Sequence, residues 1–105
     1  VSTGQVYKPS SKPCNEEGKL KPWTSIAKFR QLAEECLPKC EGLEYVVLRP
    51  ALVYGVCDFT SLTPRLVCAA VYKRLNEKMK FLWDKKLKIN CIHVTDFVAA
   101  IIHSV

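Results

Sequence analysis

The unbroken apolar run Tyr45-Val46-Val47-Leu48, closed at once by Arg49-Pro50, constrains the fold more than any other stretch of this chain. Such a run, without polar alternation, suits a strand covered on both faces, as in parallel sheets. Parallel neighbours need long crossover connections, usually helices, and the flanking pattern supplies them. Upstream, Pro9, Ser10, Ser11, Pro13, Gly18 and Pro22 give residues 8–22 a loop composition. Thr24 or Ser25 can then cap a helix on which Ile26, Phe29, Ala33, Cys36 and Leu37 recur at helical spacing, with Pro38 and Gly42 closing it. Downstream of Gly55, a second helix is expected from about residue 62 to residue 78. Residues 81–83 and 88–92 are short strand candidates. Thr95 or Asp96 can cap a last helix with a wide apolar face of Phe97, Val98, Ala100, Ile101 and Ile102. Residues 1–6, rich in β-branched side chains, read as the end of a strand. The order strand, helix, strand, helix, short strands, helix specifies an α/β domain with a mostly parallel sheet.

A chain of 105 residues makes one domain at most. At that length it buries only ~60–65% of its unfolded surface, so its core is marginal. No segment approaches the ~20 apolar residues that span a bilayer, and no membrane partner is expected. The net charge of +6 reads first as a solvated basic face, next as a match for an anionic small ligand such as a dinucleotide, and last as a nucleic-acid surface. The basic stretch 73–88 is broken by Glu77 and Asp84, has few aromatics in Phe81 and Trp83, and belongs to no recognised nucleic-acid module, so nucleic acid is not the expected partner. Six cysteines are irregularly spaced. Cys36 and Cys40 share a helical face if the helix runs that far, but no second pair and no nearby histidine complete a ligand set, so no metal is expected. Cys68 and Cys91 lie in apolar runs and read as small core residues. Scattered core cysteines, with neither a basic leader nor an apolar signal core at Val1-Ser2-Thr3-Gly4, point to a reducing, cytoplasmic setting.

Four segments fall in a recognisable order: Val1-Ser2-Thr3-Gly4-Gln5-Val6-Tyr7; Ala27-Lys28 on the first helix; Leu48-Arg49-Pro50-Ala51-Leu52-Val53-Tyr54-Gly55; and Ile92-His93-Val94-Thr95-Asp96-Phe97-Val98-Ala99-Ala100. Together they resemble the extended short-chain dehydrogenase/reductase family, which includes NAD-dependent sugar epimerases and dehydratases, over essentially the whole chain. The resemblance implies the C-terminal portion of a Rossmann-like doubly wound parallel sheet with flanking helices. It makes residues 1–105 a partial NAD(P)-binding domain, and both ends read as cut from a longer chain. In the family, a serine or threonine four positions before the tyrosine of the first segment bonds the substrate, which here is Thr3. A Tyr-x-x-x-Lys pair on the first helix transfers the proton and holds the nicotinamide ribose; Lys28 matches the lysine, and Thr24 stands at the tyrosine position. Pro50, Ala51, Leu52 and Val53 would border the nicotinamide. His93 and Asp96 would organise the loop between the cofactor and substrate parts, with Asp96 the expected cap.

The departures from that pattern carry the functional reading. A threonine hydroxyl is far less acidic than a phenol, whose pKa is ~10, and it reaches less far. Trp23 is one position away, about 100° round the helix. The dehydratases' Asp-Glu pair is replaced by Gly4 and Gln5, neither of which transfers a proton at neutral pH. Lys8 replaces a glycine, and Asp84-Lys85-Lys86 replaces a Gly-Asp-Gly turn. The Gly-rich turn that presents a helix N-terminus to the pyrophosphate is missing from these 105 residues. NAD or NADP is therefore expected only if an N-terminal half is present. The expected function is a catalytically impaired relative that serves as a binding or scaffolding module for protein partners in a larger assembly. The alternative is an active NAD(P)-dependent epimerase or reductase acting on a nucleotide sugar or a similar carbonyl or hydroxyl substrate.

Overall fold

The computed structural model describes residues 1–82 and 84–104. Helix and strand are mixed, and the described residues hold a two-stranded parallel sheet, an α/β arrangement. Contacts divide the described residues into two compact units, Val1–Ala51 with Ser104, and Leu52–His103.

The first unit is built on helix α1, Ser25–Cys36, followed by a 3-10 turn over Leu37–Lys39. Thr24 caps α1 as expected, its Oγ1 accepting from Ala27 N at 3.1 Å. Pro38 fits the 3-10 turn, and Gly42 follows at φ +72°. The covered side of α1 is not the expected one. Ala27 is buried and Gln31 and Glu34 are half-buried, whereas Ile26 and Phe29 are 69% and 72% exposed and Ala33 and Cys36 are also exposed. The small Ala27 side chain allows close approach to the segment near Val6, and Glu34 is drawn inward by Arg49. Among the described residues only Val6 and Ala27 are buried.

Two expected strands of this unit are not formed. Gly4–Val6 is a 3-10 turn, capped by Thr3 Oγ1 accepting from Gln5 N at 3.3 Å. The run 43–48 is extended but belongs to no ladder. Ser2 N donates to Leu48 O and Gly4 N to Pro50 O, each at 2.7 Å, which is one half of a parallel pattern. The other half requires an amide at position 50, and proline has none. The same Pro50 that ends the apolar run thus keeps it from pairing. Lys8 N to Lys19 O and Lys21 N to Val6 O close the loop between them around a single antiparallel bridge, Tyr7 to Leu20.

The second unit is a β-α-β unit with a helix appended. Strands β1, Leu52–Tyr54, and β2, Cys91–His93, pair in parallel, Leu52 with Cys91, Val53 with Ile92 and Tyr54 with His93. Helix α2, Leu62–Arg74, lies between them in sequence, and α3, Val94–His103, follows β2 directly. Asp58 opens α2: its Oδ1 accepts from Ser61 N at 2.7 Å and its Oδ2 from Thr63 N at 2.8 Å. Burial pushes the Asp58 carboxyl up, but the amides of Thr63 and Ser61 outweigh it and hold it below its ordinary range. Helix α2 stops four residues before the expected end. Asn76 takes φ +57°, its N–H bonds Lys73 O, and Glu77 N–H bonds Tyr72 O. This is a Schellman termination with asparagine in the left-handed position. Residues 81, 82 and 88–90 lie outside any strand, and Trp83 is outside the described residues. Cys68 and Cys91 are exposed, not core, because α2 and a sheet of two short strands cover little surface.

His93, not Thr95 or Asp96, caps α3. Its Nδ1 accepts from Thr95 N at 3.3 Å and lies 2.7 Å from Thr95 Oγ1. Asp96 sits inside the first turn, where a carboxylate favours the helix dipole. The His93 ring packs edge-on to Tyr54, with centroids 5.3 Å apart, and lies over Gly55. Gly55 has φ +126°, and a Cβ there would come within 2.7 Å of His93 Nε2. Replacing Gly55 by alanine should therefore destabilise the second unit by about 2 kcal/mol or more from backbone strain alone. Thermal unfolding followed by circular dichroism should show a clearly lowered midpoint for Gly55→Ala and a much smaller drop for Gly42→Asn, whose surroundings are open and whose φ of +72° asparagine tolerates better than most side chains.

Candidate functional site

Thr3 and Thr24, the two hydroxyls of the expected site, are drawn together by Gln5. The backbone N–H of Gln5 donates to Thr3 Oγ1, and its side-chain Oε1 accepts from Thr24 Oγ1 at 2.9 Å. Each threonine is a helix cap first: Thr3 for the 3-10 turn, Thr24 for α1. The Thr24 hydroxyl is engaged in both directions, its proton by Gln5 and a lone pair by Ala27 N. Gly4, between Thr3 and Gln5, lies tight against the chain at Pro50, and a Cβ would approach Pro50 O to 3.2 Å.

Lys28 stands one turn along α1 from Thr24, its backbone N bonding Thr24 O at 3.0 Å and its side chain exposed. The remaining expected contacts fall elsewhere. Pro50 O accepts from Gly4 N, Ala51 is exposed, Leu52 N donates to Asn90 O at 3.2 Å, and Val53 pairs with Ile92 inside the sheet. Of the backbone groups expected to border a nicotinamide, Pro50 O and Leu52 N are already bonded within the protein, and Val53 lies in the ladder.

The strongest polar cluster of the first unit was not among the sequence candidates. Arg49 forms a two-pronged ion pair with Glu34, its Nε 3.1 Å from Oε2 and 3.2 Å from Oε1 and its Nη2 2.5 Å from Oε2. Its Nη1 donates to Tyr7 Oη at 2.7 Å, and the guanidinium lies 5.0 Å from the Tyr7 ring centroid. Both charged side chains are mostly covered, at 22% and 11% exposure. The Arg49 hydrogen bond holds the Glu34 carboxyl below its ordinary value, and Glu34 in turn pulls Arg49 further up. An arginine directly after an apolar run was the available signal, since a covered guanidinium needs a carboxylate. A cavity of about 180 Å³ opens beside Glu34, walled by Ala33, Leu37, Val46 and Val47 with Ser2 and Arg30 at its margin.

Cys36 and Cys40 straddle the end of α1, with Cys40 Sγ 3.7 Å from Cys36 O. Among the described residues no group of three or more metal-ligating side chains gathers. Comparison with known proteins finds no matching family, no matching characterised protein and no matching solved structure.

Two outcomes follow for this unit. Because the folded Glu34 titrates below its ordinary value near 4.5, the pair stabilises fully above that value and is lost as the pH falls through the lower folded value. Glu34→Gln should cost about 2 kcal/mol at neutral pH and flatten the acid end of a stability–pH profile. Thr24→Ala should cost about 1 kcal/mol through the lost cap, read as a lowered unfolding midpoint.

Proposed function

We propose that this chain is a short-chain dehydrogenase/reductase-like segment, part of a Rossmann-like doubly wound sheet, that acts as a non-catalytic binding or scaffolding module for protein partners. One observation carries the reading: the Thr24 hydroxyl, at the position where the family keeps its proton-transferring tyrosine, caps α1 and is bonded to Gln5. A general acid or base needs a pKa near the working pH and a proton aimed at substrate. A threonine hydroxyl meets neither requirement here, since its proton is directed at an amide oxygen of its own chain. Gln5 replaces an acid or base of the dehydratases and instead orients Thr24. The parallel β1–α2–β2 connection and the order of the four sequence segments support the architectural half of the proposal.

An NAD(P) contact through Lys28 is the part of the family's chemistry that would be easiest to retain, because this side chain is exposed and one turn from Thr24. The intact protein should show no turnover of nucleotide sugars with NAD or NADP when the sugar products are separated by chromatography, which detects redox-neutral epimerisation as well as net reduction. Calorimetry with NAD(H) and NADP(H) tests the ligand separately. Binding abolished by Lys28→Ala, without turnover, fits a module that keeps the cofactor contact. Robust turnover in the unmodified protein would overturn the non-catalytic reading.

A further inference from the structure

Seven of the chain's sixteen Lys and Arg residues, and only two of its ten acidic ones, fall between residues 73 and 88, so this stretch carries five of the six net positive charges. Lys73 and Arg74 end α2, and Lys78, Lys80, Lys85, Lys86 and Lys88 lie on the loop that leads to β2. All seven are exposed. One of the two acids is turned to local use: Asp84 Oδ1 accepts from Lys86 N at 2.7 Å, and Asp84 O accepts from Leu87 N. Lys85 and Lys86 are exposed residues of this turn.

Charge alone would describe a solvated face, but this loop is also apolar. Leu82 is 101% exposed, and Phe81, Leu87 and Ile89 are each about half exposed. A fully exposed leucine among lysines gains nothing in water and gains most where an apolar phase lies directly beneath a negative surface. That is the boundary of an anionic bilayer, where headgroups attract lysine ammonium groups and the acyl region accepts the aliphatic side chain. A nucleic acid is the other polyanion, but it is gripped by arginine forks and aromatic stacking platforms. Every cation between residues 75 and 90 is a lysine, and among the described residues the most exposed apolar side chain, Leu82, is aliphatic.

We propose that the loop at residues 78–89 is a peripheral membrane contact, its lysines resting on anionic lipid headgroups and Leu82 entering the acyl boundary. Such a contact needs no spanning segment, and among the described residues no helix is long and apolar enough to cross a membrane. It also rests on none of the residues of the Thr3–Gln5–Thr24 cluster, so it stands whatever the outcome for catalysis.

Co-sedimentation of the intact protein with vesicles tests it. The protein should pellet with phosphatidylcholine vesicles containing phosphatidylserine and not with phosphatidylcholine alone. Binding should be lost near 1 M salt, where the screening length falls to ~3 Å. Leu82→Ser should weaken binding by about ten-fold or more. Lys85→Gln with Lys86→Gln should weaken it by about twenty-five-fold, roughly five-fold for each lysine. These side chains are exposed and outside helices and strands, so an unchanged circular dichroism spectrum should confirm that the variants fold. Failure to pellet with phosphatidylserine vesicles overturns the proposal. So does binding that Leu82→Ser leaves unchanged, or a tighter, salt-sensitive complex with single-stranded DNA, since either would assign the loop to polyanions in general.

Discussion

The ion pair between Arg49 and Glu34 is the tether on which the first unit depends. With only Val6 and Ala27 buried among the described residues, apolar burial supplies little there. Arg49 joins what burial does not: Glu34 on α1, the hydroxyl of Tyr7 beyond the 3-10 turn, and its own extended segment. Two parallel hydrogen bonds to one carboxylate fix orientation as well as distance. The tether also explains which side of α1 faces inward. A covered carboxylate three residues beyond Gln31 sets the inner face, and Ile26 and Phe29 are turned outward as a result.

That reversal marks the boundary of what the residues alone could tell. Helical spacing showed correctly that α1 exists, where it starts and that one stripe is apolar; it could not show which stripe would be covered, because that is decided by partners distant in sequence. The alternation of elements indicates a parallel strand–helix–strand order, but it puts the strand before α2 at 43–48; the strand that pairs with β2 is β1, Leu52–Tyr54, which lies in what reads as the following loop. The strand expected at 43–48 is not formed, for a reason visible in the sequence: Pro50 reads as a stop at the end of a ladder, yet its missing amide removes the ladder itself. The early end of α2 at Asn76 needed recognition of asparagine as a left-handed residue, a role more often filled by glycine.

The candidate site was legible in part. The sequence singled out Thr3, Thr24 and Lys28, and the first two do share a partner, Gln5. Their hydroxyls were considered for chemistry, but their geometry is that of caps. A cap uses one lone pair on the helix amide; at Thr24 the proton is engaged as well, by Gln5 Oε1. Leu52 and Val53, which the resemblance places near a cofactor, are ladder residues of β1.

Pro50 has one more effect, on how this chain meets others. A β-edge recruits a neighbour when it can both give and receive hydrogen bonds along its length. At position 50 the edge that meets Ser2 and Gly4 receives only: its carbonyl is taken by Gly4, and it has no amide to offer. Two copies of that edge cannot complete reciprocal bonds at this position. A stretch as apolar as Tyr45-Val46-Val47-Leu48 would otherwise be the natural place for cross-β growth to begin. A single imino acid thus blunts the edge beside this apolar run.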